Sequence, residues 1–250
     1  MSGHSKWHSI KHKKGAEDVK RGKIFSKHSK LISIAARNGG DPDMNPGLRI
    51  AIENARAENM PRDNIERAIK KGTGDDKSAV QMEEVFYEGF GPGGVALYIE
   101  TLTDNKNRTV TNLKHIFGKN GGNLGAAGSV GYLFKKRGIL NVKAAGKNPE
   151  DIELAAIDAG AEDVNVEGDT VEIYTDPSEL MKVKGQLESA GIKAESASLI
   201  YLPQNEVPVH DEETAKKILN LVDAVEEDED VSSVYSNFDI PETILEKISS

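Results

Sequence analysis

The sequence contains no cysteine. Disulfides, zinc–thiolate sites and thiol nucleophiles are thereby excluded, and a reducing cytoplasm is the expected compartment. Aromatic residues make up only 5% of the chain, with a single tryptophan, which favours several small cores over one large core. No apolar run approaches the roughly 20 residues that span a bilayer, so no membrane association is expected. The first residues are basic, but no apolar segment follows them as it would in a secretory signal.

Positive charge is scarce except at one end. The 250-residue chain has a formal net charge of −9, yet residues 1–30 hold nine Lys/Arg against two acids, Glu17 and Asp18. Residues 1–72 carry sixteen Lys/Arg and eight acids, and the remainder sixteen against thirty-three. Asymmetry on this scale points to an anionic partner for the basic end, with the acidic bulk repelling a polyanion elsewhere. The plainer alternative is a solvated basic face.

Residues 1–15 mix Gly, Ser, His and Lys without apolar periodicity and read as an extended, mobile arm. Helical spacing begins at Ala16. Ile24, Phe25, Leu31, Ile32 and Ala35 share one face, while Lys20, Lys23, Lys27 and Lys30 form a second stripe about 120° away. Asn38-Gly39-Gly40 supplies a stop. Asn45-Pro46 caps a second helix, and a third, from about Arg62, ends in Lys70-Lys71-Gly72. His28 falls on the first helix's apolar face and reads as a buried, hydrogen-bonded histidine. His4, His8 and His12 would align on a helix as a zinc site. Lysines at 6, 11, 13 and 14 repel a dication there and no carboxylate is near, so no metal is expected. Trp7 suits either a packing anchor or a base-stacking platform.

The rest reads as α/β. Strands are expected at residues 85–87, 95–102 and 129–134, with a helix at 105–119 between the last two. From Gly138 the order becomes strand 139–142, helix 149–159, hairpin 161–166/170–174 around Gly168-Asp169, helix 177–190 and strand 193–201. This βαββαβ order is that of a ferredoxin-like domain. A helix through Ala215–Val225 and a strand at 231–238 then return to the earlier set. The expected fold is α+β in three domains. These are a basic helical domain with its arm (1–76), a discontinuous α/β domain (77–136 with 205–250), and an inserted ferredoxin-like domain (137–204).

Two glycine loops, around Gly89–Gly94 and Gly121–Gly128, invite a nucleotide-cofactor reading. Neither ends in Gly-Lys-Ser/Thr nor opens a helix, so no cofactor is expected. Such loops do let a backbone approach RNA closely, beside Asn105, Lys106, Asn107 and Arg108. No nucleophile–base–acid set is visible, and an enzyme is not expected.

Residue-level motifs resemble the YebC family. They include Gly3-His4-Ser5-Lys6-Trp7, Lys20-Arg21-Gly22-Lys23, Asn59-Met60-Pro61, Gly91-Pro92-Gly93-Gly94-Val95, Thr103-Asp104-Asn105-Lys106-Asn107-Arg108, Gly121-Gly122-Asn123-Leu124-Gly125 and Tyr235-Ser236-Asn237-Phe238-Asp239. Tyr132 stands where many members have tryptophan. The resemblance implies three domains, one inserted in another. It implies regulation of gene expression, either through promoter DNA or, as in mitochondrial relatives, by activating translation on ribosomes.

The physical chemistry tilts toward RNA: the arm shows no reading helix, and a basic arm with glycine loops suits the irregular anionic surface of a ribosome. The partner expected is ribosomal RNA, with promoter DNA the alternative and a small-ligand sensor or enzyme the third reading. The chain is expected to act as a monomer. Nucleic-acid contacts are expected from Lys6, Trp7, Lys11, Lys13, Lys14, Lys20, Arg21, Lys23, Lys27, Lys30, Arg108 and Asn123.

Overall fold

A computed structural model describes residues 17–75 and 82–249, without the side chains of residues 17–21, 23 and 249. The expected arm at 1–15, with Lys6, Trp7, Lys11, Lys13, Lys14 and the three spaced histidines, lies outside the described residues, as does most of the expected linker at 75–82. The fold is mixed, a helical region followed by α/β structure, and it clusters into two compact units.

One unit joins residues 24–79 to 136–201. Its helical part comprises α1 (Glu17–Ala35) from Ile24 onward, α2 (Pro46–Ala57) and α3 (Arg62–Thr73). A 3-10 turn at Ala36–Asn38 ends α1 at the expected stop. The Asn45 side chain accepts from Leu48 N at 3.1 Å, and its amide donates to the Ala35 and Gly39 carbonyls. It therefore caps α2 and ties it to the end of α1. Ile32, Ala36, Leu48, Ile52, Ala55, Met60, Ile65 and Ala68 form a small core. Ser33 stitches α1 to α3 by donating to the Ala68 carbonyl at 2.9 Å. A Cβ on Gly72 would overlap the Ser33 carbonyl and lie 2.7 Å from the Ala36 Cβ. Gly72→Ala is therefore expected to lower the thermal stability of the helical region by about 2 kcal/mol, although alanine is the better helix former. An unchanged melting curve would contradict this packing.

The same unit holds the βαββαβ segment. It runs β4 (Phe134–Lys143), α5 (Pro149–Asp158), β5 (Asp163–Glu167), β6 (Thr170–Thr175), α6 (Leu180–Ser189) and β7 (Ala194–Pro203). The sheet order β5-β6-β4-β7 is the ferredoxin-like one. Leu140, Val142, Val171 and Ile173 meet Ile152, Ala156, Val183 and Leu187 from the two helices. Helix α2 docks against this segment. The Asn54 amide donates to the Ala197 carbonyl at 2.7 Å and its oxygen accepts from Ala197 N at 3.3 Å. The side chain thus pairs with strand β7 as a neighbouring strand would. Lys184, with its side chain 11% exposed, ion-pairs with Glu53 beside this contact.

The other unit contains residues 1–23, 80–135 and 202–250. Strands β1 (Glu83–Phe90), β2 (Ala96–Thr103), β3 (Asn123–Leu124) and β9 (Val231–Ser236) form an antiparallel sheet in the order β3-β1-β2-β9. Helices α4 (Lys106–Lys119) and α7 (Glu212–Glu226) share one core with its Leu97, Ile99 and Val234. Three pieces were not expected: β3, which falls in the expected loop at 121–128; the short parallel pair β8 (Val207–Pro208) and β10 (Phe238–Asp239); and α8 (Glu242–Ser249), which buries Leu245.

The expected strand at 129–134 is corrected. Residues 131–133 form a 3-10 turn, and β4 begins at Phe134 and runs unbroken through Gly138. Gly138 is needed inside the strand because a Cβ there would meet the Thr175 hydroxyl and lie 3.0 Å from Leu180.

Candidate nucleic-acid interface

On α1, Phe25 and Ile32 pack into the helical core, while Lys27 is exposed and Lys30 half-buried. Lys20, Arg21 and Lys23 lie on the same helix, where only the backbone is described. His28 is half-buried, and its Nδ1 finds no hydrogen-bond partner among the described residues, so that nitrogen does not make the expected bond. Burial holds this imidazole below its ordinary pKa, with Glu58 opposing and Lys27 assisting. Helix α3 adds exposed Arg62, Arg67, Lys70 and Lys71, of which Arg62 pairs with Glu66 at 2.8 Å and Arg67 donates to Asn64 at 2.6 Å. Only four residues separate α2 from α3, and one of them, Asn59, has φ 58°.

The glycine loops are explained first by packing. A Cβ on Gly89 would lie 2.5 Å from the Phe117 ring, and one on Gly122 would lie 2.8 Å from the Phe90 carbonyl. Bare backbone at both positions lets β3 join the edge of β1 over Phe117. Gly121, at φ 74°, ends α4, with Gly122 N donating to the Phe117 carbonyl at 2.9 Å. The structure also brings the two loops together, since a Cβ on Gly121 would lie 3.9 Å from the Pro92 ring. Asn123 is exposed there, opposite Phe90 in the strand register.

Sequence reasoning missed Glu88, which holds the second loop. It is 8% exposed and projects from β1. Its carboxylate accepts from Gly128 N at 2.7 Å, Val130 N at 2.5 Å and Gly131 N at 2.8 Å, and its own carbonyl accepts from Gly125 N at 2.7 Å. Burial works against ionisation, but the backbone donors outweigh it and hold the carboxyl below its ordinary pKa. The signal was a lone acid in a strand forty residues from its partners, which no local pattern marks.

Arg108 is committed to a network. Its guanidinium donates to both oxygens of Asp230 at 2.8 Å and to Asp104 at 2.8 Å. Asp230 is 4% exposed, and its Oδ2 also takes the Thr109 hydroxyl at 2.9 Å. This joins the first turn of α4 to the start of β9. Arg108 is nonetheless 47% exposed, so one side of it still meets solvent.

An open cavity of about 490 Å³ on the ferredoxin-like segment is lined by Lys147, Asn148, Asp151, Ile152 and Ile192, among others. Its one cation, Lys147, donates to the Gly191 carbonyl at 2.5 Å. Nothing in this lining favours a small-ligand reading.

Residues 5–75 match the model of the TACO1/YebC protein N-terminal domain, and residues 82–238 match that of the TACO1/YebC second and third domain. The chain belongs to the TACO1/YebC family. A relative from Halothermothrix orenii, named a probable transcriptional regulatory protein, is 54% identical over 252 residues, covering 100% of this chain and 99% of that one. Another of the same name from Rubrobacter xylanophilus is 50% identical over the full length of both. Within the family, the crystal structure of a conserved hypothetical protein from Aquifex aeolicus superposes with a TM-score of 0.85 at 48% identity, covering 90% of this chain and 93% of that one. Among the described residues, no helix of this TACO1/YebC member is long and apolar enough to cross a membrane.

Proposed function

We propose that this chain is a non-enzymatic, cytoplasmic regulator of gene expression that works as a ribosome-associated translation factor, docking its basic N-terminal region on ribosomal RNA as a monomer. One observation carries the proposal: nine Lys/Arg against two acids in residues 1–30 of a chain whose net charge is −9. Charge of that kind supplies affinity for phosphates and positions a protein without reading sequence. Lys6, Lys11, Lys13, Lys14, Lys20, Arg21, Lys23, Lys27 and Lys30 anchor on phosphates, Trp7 stacks, and Asn123 with the exposed side of Arg108 adds contacts beside the glycine loops. The working parts are three domains, at 1–76, 77–136 with 205–250, and 137–204.

Reversing Lys13, Lys14, Lys20 and Lys23 to glutamate is expected to abolish co-sedimentation with ribosomes at low salt. Unchanged co-sedimentation would sink the proposal.

A second reading, a duplex-DNA transcription regulator, has two supports. The relatives carry that name. The four-residue link between α2 and α3 is short enough for a helix-turn-helix, with Asn64, Arg67 and Lys71 on the second helix. Asp63 and Glu66 on that helix, and the Arg62–Glu66 pair, weigh against entry into a groove. Sequence-dependent gel shifts that survive non-specific competitor would favour this reading.

A further inference from the structure

We propose a second nucleic-acid contact, on the outer face of α4 and the two glycine loops at its end, fitted to the sugar–phosphate backbone of single-stranded RNA. It rests on the RNA-binding reading and extends it beyond the basic end, to residues that charge counting treats as repulsive.

Residues 82–135 and 202–250 hold eight Lys/Arg against eighteen Asp/Glu, and α4 alone supplies four of the eight cations and no acid. Thr109, Leu113 and Phe117 turn inward, and Thr111, Lys114, His115, Gly118 and Lys119 are exposed. Lys106 and Arg108, at the end where the helix dipole disfavours cations, are neutralised by Glu83, Asp104 and Asp230. Lys114 and Lys119 make no ion pair among the described residues. The C-terminal half of the helix is therefore a cationic island whose charge no described residue pairs.

Gly118 lies on that island. It is exposed, its helical backbone needs no glycine, and a Cβ there would meet nothing within 4 Å. Packing explains Gly89 and Gly122, but not this residue. Gly118 sits in the last turn of α4, where an exposed glycine still lowers helix stability relative to alanine, by up to about 1 kcal/mol. What it provides is one position without a side chain between Lys114 and Lys119, beside Thr111 and His115, where a phosphate can approach the helix. Gly121 adds a second such position past the helix end, and the Pro92–Gly94 turn lies against it.

Charge complementarity commits the site to a polyanion. Its form favours a single strand over a duplex. A helix entering a major groove leads with its N-terminal residues, and that end of α4 presents Asp104 and the Arg108–Asp230 pair.

The test titrates the full chain into a fluorescein-labelled single-stranded RNA of mixed sequence and, separately, duplex DNA of the same sequence, across a salt series. K114Q/K119Q is expected to weaken RNA binding about tenfold and to reduce the salt slope by about 1.4, as two lost contacts at roughly 0.7 each require. G118Q is expected to raise the melting temperature, because glutamine is the better helix former, and yet to weaken RNA binding about fivefold. Unchanged affinity in either variant overturns the proposal, and so does a loss confined to duplex DNA. If the lysine-to-glutamate variant at 13, 14, 20 and 23 loses binding while K114Q/K119Q does not, this contact fails and the proposed function stands. If the unaltered chain binds no RNA, both fail.

Discussion

Glu88→Ala is expected to destabilise the unit around the β3-β1-β2-β9 sheet by about 4 kcal/mol and to release residues 125–131 from amide-exchange protection. Three backbone N–H groups lose a charged acceptor, and hydrogen bonds to charged groups contribute about 1.5–3 kcal/mol each, with less than full additivity. Val130 is fully buried beside them, so its N–H cannot turn to water without opening the loop. The same contact makes a pH prediction. The folded carboxyl sits below its ordinary value. Its contribution is therefore complete above the unfolded-state pKa, about 4.3, and is lost as pH falls from there through the folded value. Protection of Gly128, Val130 and Gly131 should collapse in that acid window before the rest of the sheet opens. Glu88→Gln should show weakened protection at neutral pH and little further change on acidification. Protection that is equal in wild type and Glu88→Ala would refute the cradle.

Asp230→Ala is expected to lower stability by about 3 kcal/mol, and Arg108→Ala by only about 1. The difference follows from burial. Asp230 is 4% exposed and accepts the hydroxyl of Thr109, which is fully buried. Removing the carboxylate takes from that hydroxyl and from the guanidinium their shared charged acceptor, leaving Thr109 only the Thr103 hydroxyl and the Asn105 carbonyl and Arg108 only Asp104, whereas removing the half-exposed Arg108 leaves Asp230 still bonded to Thr109. Thermal or urea unfolding of the two single variants and the double variant closes the cycle. Equal losses from the two single variants would contradict the network as described.

Much of this architecture was legible because it is locally written. Asn45-Pro46 caps α2 with its own side chain, and Gly168, at φ 60°, turns the β5–β6 hairpin where a glycine was expected. The ferredoxin-like order follows from strand and helix periods alone. The errors share one cause, which is control by a residue far along the chain. Residues 129–134 alternate as a strand would, yet Glu88 takes the N–H groups of 128, 130 and 131 and removes them from any ladder. Arg108 reads as a free cation in sequence, and Asp230, more than a hundred residues later, claims it. Gly118 reads as one more helix residue; only the open space around it marks it as unusual. Of the basic stripe expected on α1, only the side chains of Lys27 and Lys30 are described.

The central claim is that the basic end of this TACO1/YebC protein meets ribosomal RNA. Crosslinking in growing cells, followed by purification of the chain and sequencing of both the RNA and the DNA attached to it, tests that most directly. The account predicts reads concentrated in ribosomal RNA, and their loss in the variant with lysines 13, 14, 20 and 23 reversed to glutamate. Reads concentrated in promoter DNA, or no nucleic acid above background, would contradict it.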